Sequence, residues 1–336
     1  MMRKLLLFAC LCGLAIFAGC SSKKHFKPEV ISGKIDFKDK LSSPIRSVSR
    51  QGAILKDNTL ITLENGISPL VLEKGYRFLA QDKDKNAYAI QKQCDEILIM
   101  QGGSENLKKV PFSSCVLSAS LRGDRLAMVL IDNTLVYYDL SKKEEIFSQK
   151  YANVSAINSY LASPLMNEQY VIYPDLEGKI LIYSIAQNKI IKDILVSSDK
   201  FFNNVIYLYA KGEYLLGATA KRVSAIINDK SFKYDVDLRD VKFYNDKVYV
   251  LGIDGEILEL DHTLKLLRKV RLPFAVLSGI VIQNDTLYTL EKGGYVVVLN
   301  LKDFVPLVYK NNLAKKKSLF YTQDSIFYDK VYKRFE

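Results

Sequence analysis

A unit of three short apolar runs separated by tight polar turns recurs along this chain and constrains its fold more than any other feature. The clearest copy spans residues 245–272 and contains the runs Val248–Leu251, Ile257–Leu260 and Leu266–Leu272. Asp254-Gly255 lies between the first two runs, and this pair favours the positive backbone dihedrals of a two-residue hairpin turn. The unit therefore predicts an antiparallel meander of three strands.

Similar units recur roughly 30 to 45 residues apart, which is the spacing of four-stranded propeller blades. The other copies begin near Ala53, Asn86, Asp124, Gln169, Glu213 and Asn284. A further apolar stretch precedes the meanders, as at Val241–Tyr244, and supplies a fourth strand. The repeat therefore predicts blades of four antiparallel strands.

The distribution of apolar and charged residues within a unit separates a propeller from a β-sandwich. Lys247–Leu251 and Tyr295–Leu299 are apolar on both faces, whereas a half-buried strand should alternate. The last strand of a unit is charged, as in Arg268–Arg271, which suits an exposed sheet edge. A sandwich predicts neither the regular unit nor this gradient, so we expect an all-β propeller.

The number of blades depends on how the two ends of the chain are used. Seven complete units run from about Pro44 to about Asn311, and strands at Ser318–Thr322, Ser325–Tyr328 and Lys330–Phe335 follow. The N-terminal segment Val30–Phe37 is a candidate for the missing outer strand, and its pairing would leave no open sheet edges. We expect eight blades closed by N- and C-terminal strands, with seven blades and a tail as the alternative.

The first residues have the features of a targeting segment. Arg3-Lys4 is followed by the apolar run Leu5–Phe17, which is too short for a typical membrane span. Phe17-Ala18-Gly19-Cys20 resembles the bacterial lipobox, in which small residues precede a cysteine that is acylated and becomes the new N-terminus. The alternative is an ordinary signal peptide cut near Gly19.

This interpretation divides the chain into three parts. Residues 1–19 are the lipoprotein signal peptide, residues 20–40 are the lipidated Cys20 and a tether that contains the candidate closing strand 30–37, and residues 41–336 are the propeller. Bacterial lipoproteins carry several acyl chains, palmitate among them, so anchoring should be stable. Ser21 follows the cysteine instead of the aspartate that retains lipoproteins at the inner membrane. We therefore expect the outer membrane of a Gram-negative bacterium, facing the periplasm.

The chain is basic, with a net charge of +11 that falls to +9 when the signal peptide and its two cations are removed. Behind a lipoprotein signal, this balance indicates an acidic protein surface or lipopolysaccharide as a partner in preference to nucleic acid. The densest group, Lys310 with Lys315–Lys317, lies between two blades and is typical of a solvated loop.

Of five cysteines, Cys10 and Cys12 leave with the signal peptide and Cys20 takes the lipid. Cys94 and Cys115 remain, and an even pair in an oxidising compartment predicts a disulfide. The alternative is two buried free thiols. Neither residue belongs to a Cys-x-x-Cys motif, so a redox catalyst is not expected.

The sequence offers little for catalysis. It has only two histidines, His25 in the tether and His262 in a turn, where Asp261 is a candidate partner. A histidine-based triad or metal site is therefore not expected. Nucleotide-binding and nucleophile-elbow motifs are also missing from the sequence. We expect a non-enzymatic protein with no catalytic residue, metal or cofactor.

The lipobox, tether and strand-turn-strand units together resemble the outer-membrane assembly lipoprotein BamB and its relatives with quinoprotein-like repeats. The units that carry the resemblance are Val171–Tyr183, Tyr249–Asp261 and Leu287–Asn300. Quinoprotein blades usually carry a tryptophan, and this chain has none. The departure favours a relative that docks no quinone.

The resemblance implies a lipid-anchored scaffold that assists outer-membrane protein assembly. Its partners would be BamA and unfolded outer-membrane proteins, with the chain as a monomer or part of a hetero-complex. The alternative is a propeller that binds a ligand or surface, such as a glycan, lipopolysaccharide or a host protein.

Overall fold

A computed structural model describes residues 25–336 except 83, 85, 86, 95, 102–105, 113 and 314–316. In this part of the chain, strands form eight antiparallel sheets, one for each sequence unit and one from the two ends of the chain. The all-β propeller with eight four-stranded blades is therefore confirmed, and the seven-blade alternative is wrong.

Two short strands precede the first blade, β1 (Gly33–Lys34) and β2 (Asp39–Lys40). Blade 1 contains β3 (Ile45–Val48), β4 (Gly52–Leu55), β5 (Thr59–Thr62) and β6 (Gly66–Val71). Blade 2 contains β7 (Tyr76–Asp82), β8 (Ala87–Lys92), β9 (Glu96–Gln101) and β10 (Asn106–Pro111). Blade 3 contains β11 (Val116–Arg122), β12 (Arg125–Leu130), β13 (Thr134–Asp139) and β14 (Glu144–Lys150). Blade 4 contains β15 (Leu165–Met166), β16 (Tyr170–Pro174), β17 (Lys179–Ser184) and β18 (Lys189–Leu195).

Blade 5 contains β19 (Tyr207–Lys211), β20 (Tyr214–Ala218), β21 (Arg222–Ile227) and β22 (Lys230–Asp235). Blade 6 contains β23 (Leu238–Tyr244), β24 (Lys247–Gly252), β25 (Glu256–Asp261) and β26 (Leu266–Arg271). Blade 7 contains β27 (Leu277–Gln283), β28 (Thr286–Glu291), β29 (Tyr295–Asn300) and β30 (Pro306–Lys310). Blade 8 contains β31 (Leu319–Tyr321), β32 (Ser325–Tyr328) and β33 (Val331–Arg334).

The ring is closed by an N-terminal strand, but this strand is not the predicted segment 30–37. β2 pairs antiparallel with β33 and completes blade 8, whereas β1 pairs parallel with β30 as a fifth strand of blade 7. Val30 and Ile31 remain 72% and 49% exposed. The open edge of blade 8 is completed by the backbone of Asp39 and Lys40, so the need for a closing strand was predicted correctly and its position was not.

The blades bury their faces against each other, as the doubly apolar strands predict. In blade 6, β24 and β25 are almost fully buried, whereas β26 alternates between exposed and half-buried residues. Tyr249, Leu251 and Ile257 of this blade pack with Ile280 and Ile282 of blade 7 in one core cluster. The core therefore runs between blades around the ring, with the charged strands outside.

The tight turns come in two kinds. Asn245-Asp246 and Asn284-Asp285 join first and second strands, and in both pairs both residues have positive φ, between 47° and 56°. Asparagine and aspartate tolerate this conformation, and the pairs form two-residue hairpin turns. Ile253–Gly255 instead forms a three-residue turn, in which only Gly255 has positive φ. The predicted two-residue turn at Asp254-Gly255 is therefore one residue longer than expected.

The antiparallel order gives the propeller two distinct ends. Turns between first and second strands, and between third and fourth strands, lie at one end, which we call the channel face. Turns between second and third strands, and the connections from blade to blade, lie at the other end, which we call the linker face.

Candidate functional site

A central cavity of about 800 Å³ lies where the first strands of the blades surround the ring axis. Every blade contributes to its wall, and the turns that hold Arg50 and Gln323 place its opening on the channel face. The volume falls within the usual range of small-molecule and peptide-side-chain sites. Its polar lining includes Arg50, Gln81, Tyr207, Asp240, Lys242 and Tyr321.

Three blades meet in a buried polar cluster inside this cavity. Arg50 Nη1 lies 3.1 Å from Asp240 Oδ1, and it also donates to the Tyr321 hydroxyl at 3.0 Å. The Tyr321 hydroxyl in turn donates to Asp240 Oδ2 at 2.5 Å. Arg50 lies in the β3–β4 turn, Asp240 on β23 and Tyr321 on β31. The cluster therefore links blades 1, 6 and 8 through charge-assisted hydrogen bonds.

The cluster shifts the protonation equilibria of its members. Burial lowers the pKa of Arg50, but Tyr321 and Asp240 outweigh burial and hold that pKa above its ordinary value. Burial raises the pKa of Tyr321 well above its ordinary value, with the carboxylate of Asp240 acting in the same direction. At neutral pH the guanidinium is charged and the phenol keeps its proton, so both groups act as hydrogen-bond donors to Asp240.

Lys242 supplies a second positive charge to the cavity. Its side chain is half-buried and forms no ion pair or hydrogen bond with any other described residue. Burial lowers the pKa of its amine, while Asp240 opposes this effect. Gln81, across the ring on β7, also has buried amide atoms without a partner among the described residues. The Lys242 amine and the Gln81 amide are therefore available to donate hydrogen bonds to a bound group.

Aromatic rings from blades 5 and 6 form one side of the cavity. Tyr209 and Phe243 are stacked with ring centroids 4.4 Å apart, and the Tyr207 hydroxyl accepts the Phe243 backbone N–H at 3.1 Å. The Arg50 guanidinium lies 5.6 Å from the centre of the Tyr207 ring, within the range of a cation–π contact. Burial raises the pKa of Tyr207 to about 12. This wall is rigid and suits contact with flat or apolar groups.

A groove of about 880 Å³ lies on the channel face between blades 8 and 1. It shares Leu63, Glu64 and Gln323 with the wall of the central cavity, so the two spaces adjoin. An ion pair between Arg334 and Asp324, 2.8 Å apart, and the exposed side chain of Ile67 line its outer part. Together, the groove and the cavity give the channel face a concave surface.

Cys94 and Cys115 lie on the linker face. Cys94 follows β8 and Cys115 precedes β11, their Cα atoms are 4.5 Å apart, and their sulfur atoms are in bonding contact. Gln91 braces the same segment, because its Nε2 donates to the Ser114 carbonyl at 2.9 Å and its Oε1 accepts the Val116 N–H at 3.1 Å. The disulfide stays a prediction, and its proposed role is to fasten the connection between blades 2 and 3.

The other residues that the sequence singled out are not brought together within the part of the chain that the structure describes. Cys20 lies outside the described residues, as do Lys315 and Lys316 of the basic loop. His262 lies in the turn after β25, where Asp261 Oδ1 accepts the backbone N–H groups of Thr263 and Lys265. The carboxylate next to His262 is therefore engaged in turn formation.

Sequence reasoning missed the polar cluster, because 190 positions separate Arg50 from Asp240. The one local signal was a carboxylate within an otherwise buried inner strand, since Asp240 is flanked nearby by the buried Leu238 and Val241. A buried charge requires a partner, so Asp240 could have been selected as a residue with a distant cation.

The described part of the chain contains no group of three or more His, Cys, Asp or Glu side chains placed to hold a metal ion. It also contains no helix with the length and apolar character to cross a membrane.

No protein-family model matches the chain. Among solved structures, BamB from Moraxella catarrhalis aligns with a TM-score of 0.68 and 14% identity over 88% of this chain and 99% of that chain. The C-terminal WD40 domain of Sif2 aligns with a TM-score of 0.64 and 12% identity over 89% of this chain and 99% of that chain. These likenesses show a BamB-like propeller fold.

Sequence comparison identifies relatives in two strains of Helicobacter pylori. The plasminogen-binding protein PgbB of one strain is 32% identical over an alignment of 377 positions, gaps included, which covers 96% of this chain and 70% of that protein. PgbB of the second strain is also 32% identical, and the chain covers 69% of it. The chain belongs to the family of the plasminogen-binding protein PgbB.

Proposed function

We propose that this chain is a non-enzymatic, lipid-anchored propeller of the bacterial outer membrane that binds a host protein of the plasminogen type. The observation that carries the proposal is the 32% identity with a plasminogen-binding protein across 96% of the chain. Cys20 would hold the propeller at the membrane, with residues 1–19 removed as the signal peptide. This function corresponds to the alternative in the sequence analysis, which named a host protein among the ligands of a surface-binding propeller.

The channel face is the binding surface that the geometry favours. A rigid ring holds its turns in fixed positions, and the adjoining cavity and groove provide the concavity that a protruding segment of a partner requires. Inside the cavity, Lys242 offers an amine that has no partner among the described residues, and Tyr209 offers an aromatic surface. These groups suit an acidic or aromatic side chain presented by a partner protein.

Binding of purified full-length protein to immobilised human plasminogen tests the proposal, with serum albumin as the control surface. We expect saturable binding to plasminogen only. Ile67→Asp places a charge on the channel face, and Ile131→Asp makes the same change at an exposed residue on the linker face. The first variant should bind at least several-fold more weakly, while the second should bind normally. Equal binding to plasminogen and albumin would overturn the proposal.

The narrower role in outer-membrane protein assembly is a second candidate, with BamA and unfolded outer-membrane proteins as partners. The observation that favours it is the pairing of β1 with the outer edge of blade 7, where Ser32 N–H donates to the Val308 carbonyl at 2.8 Å. An outer strand of this propeller thus accepts an extended segment, which is the geometry of client capture by β-augmentation.

Crosslinking in cells with a C-terminally tagged chain, followed by mass spectrometry, tests this second role. BamA and outer-membrane barrels among the crosslinked proteins would support assembly. Protease treatment of intact cells adds an independent readout, because a periplasmic scaffold is shielded whereas a plasminogen-binding protein must be exposed. Complete shielding would contradict host-protein binding, and complete digestion would contradict the assembly role.

A further inference from the structure

We propose that a second surface, on the linker face at blades 6 and 7, contacts the anionic headgroups of the membrane that holds the anchor. We define this membrane-contact patch by Arg239, Ile253, Phe274 and Lys292. This proposal rests on the proposed lipid anchor at Cys20, and it adds the orientation of the propeller relative to the membrane. The four residues of the patch lie outside the surface that we propose for the host protein.

Backbone hydrogen bonds fix the loops that carry the patch residues in each of the two blades. Ile253 N–H donates to the Asp237 carbonyl at 2.8 Å, which joins the turn after β24 to the start of β23. Lys292 N–H donates to the Val276 carbonyl at 3.0 Å, which joins the turn after β28 to the connection that contains Phe274. The patch is therefore assembled from neighbouring loops of two adjacent blades.

The patch combines exposed apolar and cationic side chains. Ile253 and Phe274 are 43% and 53% exposed, although both belong to residue types that folding usually buries. Arg239 and Lys292 are also exposed, and neither forms an ion pair with any described residue. Burial lowers the pKa of the Lys292 amine, and the positive charge of Arg239 adds to the effect. Two like charges held close together favour an anionic partner.

The N-terminal segment reaches the ring beside this patch. Phe26 packs edge-on against Tyr295, with ring centroids 5.6 Å apart, and joins the core cluster that contains Val270 and Leu272. Leu272 lies two positions before Phe274, and Tyr295 lies three positions after Lys292. The chain is thus fixed to the propeller at the margin of the patch.

The length of chain between the anchor and this fixed point selects a lipid surface as the occupant. Six residue steps separate Cys20 from Phe26, and an extended chain of this length spans at most about 20 Å. A compact domain of this size has a radius of gyration of roughly 20 Å. An acylated Cys20 therefore keeps the margin of the patch close to the bilayer, and the channel face cannot turn toward the same membrane.

The chemistry of the patch matches this occupant. Aromatic and aliphatic side chains enter the boundary between headgroups and acyl chains, while lysine and arginine attract anionic headgroups. Each cation near an anionic membrane surface adds to the attraction between the protein and the bilayer. The patch would therefore set the orientation of a propeller that the lipid already holds at the membrane.

A tryptophan reporter tests the contact, because the natural chain contains no tryptophan. Lipidated full-length Phe274→Trp is reconstituted into vesicles of phosphatidylethanolamine and phosphatidylglycerol, with or without bromine on the acyl chains. Ile67→Trp is the matched control, since Ile67 is 44% exposed on the channel face. We expect bromine to reduce the Phe274→Trp emission roughly twofold or more, because interfacial side chains enter the bilayer by ~5–10 Å. The Ile67→Trp emission should not change.

Two further measurements separate failure of the patch from failure of the anchor. Adding Arg239→Ser and Lys292→Ser to Phe274→Trp should reduce the quenching, as should vesicles made of phosphatidylcholine alone. Protein that floats with the vesicles but is quenched equally at positions 67 and 274 would overturn the patch and leave the anchor standing. Protein whose intact mass lacks a lipid at Cys20, and which does not float, would overturn both.

Discussion

Arg50 of blade 1 and Asp240 of blade 6 form an ion pair of 3.1 Å inside the central cavity, although 190 positions separate them in the sequence. Their side chains are only 17% and 4% exposed. A buried pair contributes little net stability compared with apolar residues, but the loss of one member leaves an uncompensated charge. The pair therefore links two blades across the cavity, and the stability of the fold should be sensitive to the loss of either residue.

Asp240→Asn should destabilise the protein by about 3–5 kcal/mol, the typical cost of breaking one side of a buried ion pair. Urea denaturation followed by circular dichroism measures the loss. Arg50→Met combined with Asp240→Asn should recover a large part of it, because no charge then remains unpaired. A double variant as unstable as the single variant would contradict this explanation.

Asp124→Asn is the matched control for that experiment. Asp124 forms an ion pair of 3.0 Å with Lys108, but both side chains are more than half exposed. Exposed pairs contribute about 0–1 kcal/mol because water and salt screen them. A loss as large as that of Asp240→Asn would show that burial is not the relevant difference.

The sequence predicted the repeat well where strands are buried on both faces. The run Val248–Leu251 identified β24 to within one residue at each end, since only a strand between two blades needs apolar residues on both sides. The sequence pattern did not identify the closing strand β2, because Asp39 and Lys40 are both exposed and carry no apolar signal. Their pairing with β33 uses the backbone, which every residue has.

The turns and the central cavity show a second limit of sequence reasoning. The pair Asn245-Asp246, where the predicted meander begins, forms the hairpin turn between β23 and β24. The cavity was missed because its wall takes isolated residues from every blade. Only the closure of the ring brings such residues together, so no local sequence pattern predicts which residues line the cavity.

The Cys94–Cys115 disulfide gives a second prediction. The bond closes a loop with a sequence separation of 21, which in the chain-entropy model stabilises the fold by about 3 kcal/mol. Cys94→Ser combined with Cys115→Ser should lower the free energy of unfolding by about that amount. Mass spectrometry with a thiol-alkylating reagent should show no free thiol on denatured, unreduced wild-type protein, and two modified thiols would contradict the bond.

Asp175 predicts a dependence of stability on pH. Burial raises its pKa to about 7, and the negative charge of Glu177 adds to this, whereas backbone N–H groups at Glu177 and Lys179 lower it. Its Oδ2 is buried and has no hydrogen-bond partner among the described residues. The folded pKa exceeds the ordinary value of about 3.9, so the folded state holds the proton more tightly. The stabilisation is complete below about pH 4 and is lost as the pH rises through about 7.

Asp175→Asn isolates this effect, because the amide keeps an acceptor for the backbone N–H groups and carries no charge. The variant should be more stable than the wild type at pH 8, by up to about 4 kcal/mol from the size of the shift. The advantage should disappear near pH 4, where the wild-type carboxyl is protonated in both states. Urea denaturation across this range measures the difference, and a difference independent of pH would argue against a buried acid.

The turn that contains Ile253 should require glycine at position 255. Its φ is +75°, and an added Cβ would lie 2.1 Å from the carbonyl oxygen of Leu272 and 3.1 Å from the Cβ of Ala275. Gly123 has a similar φ of +57°, but an added Cβ there would meet no described atom within 4 Å. The two glycines therefore share the backbone conformation and differ in the space around it.

Gly123→Ala should cost about 1 kcal/mol, since a side chain in the left-handed region is strained even without contacts. Gly255→Ala should cost at least about 2 kcal/mol more, because the obstacle is a backbone oxygen and overpacking adds its own penalty. Thermal unfolding of both variants beside the wild type provides the comparison. In Gly255→Ala the Leu272 carbonyl should also be displaced. This shift should move Phe274, two positions further along the chain, and weaken its proposed contact with the membrane. Equal losses of stability in the two variants would contradict a clash between the added Cβ and the Leu272 carbonyl oxygen.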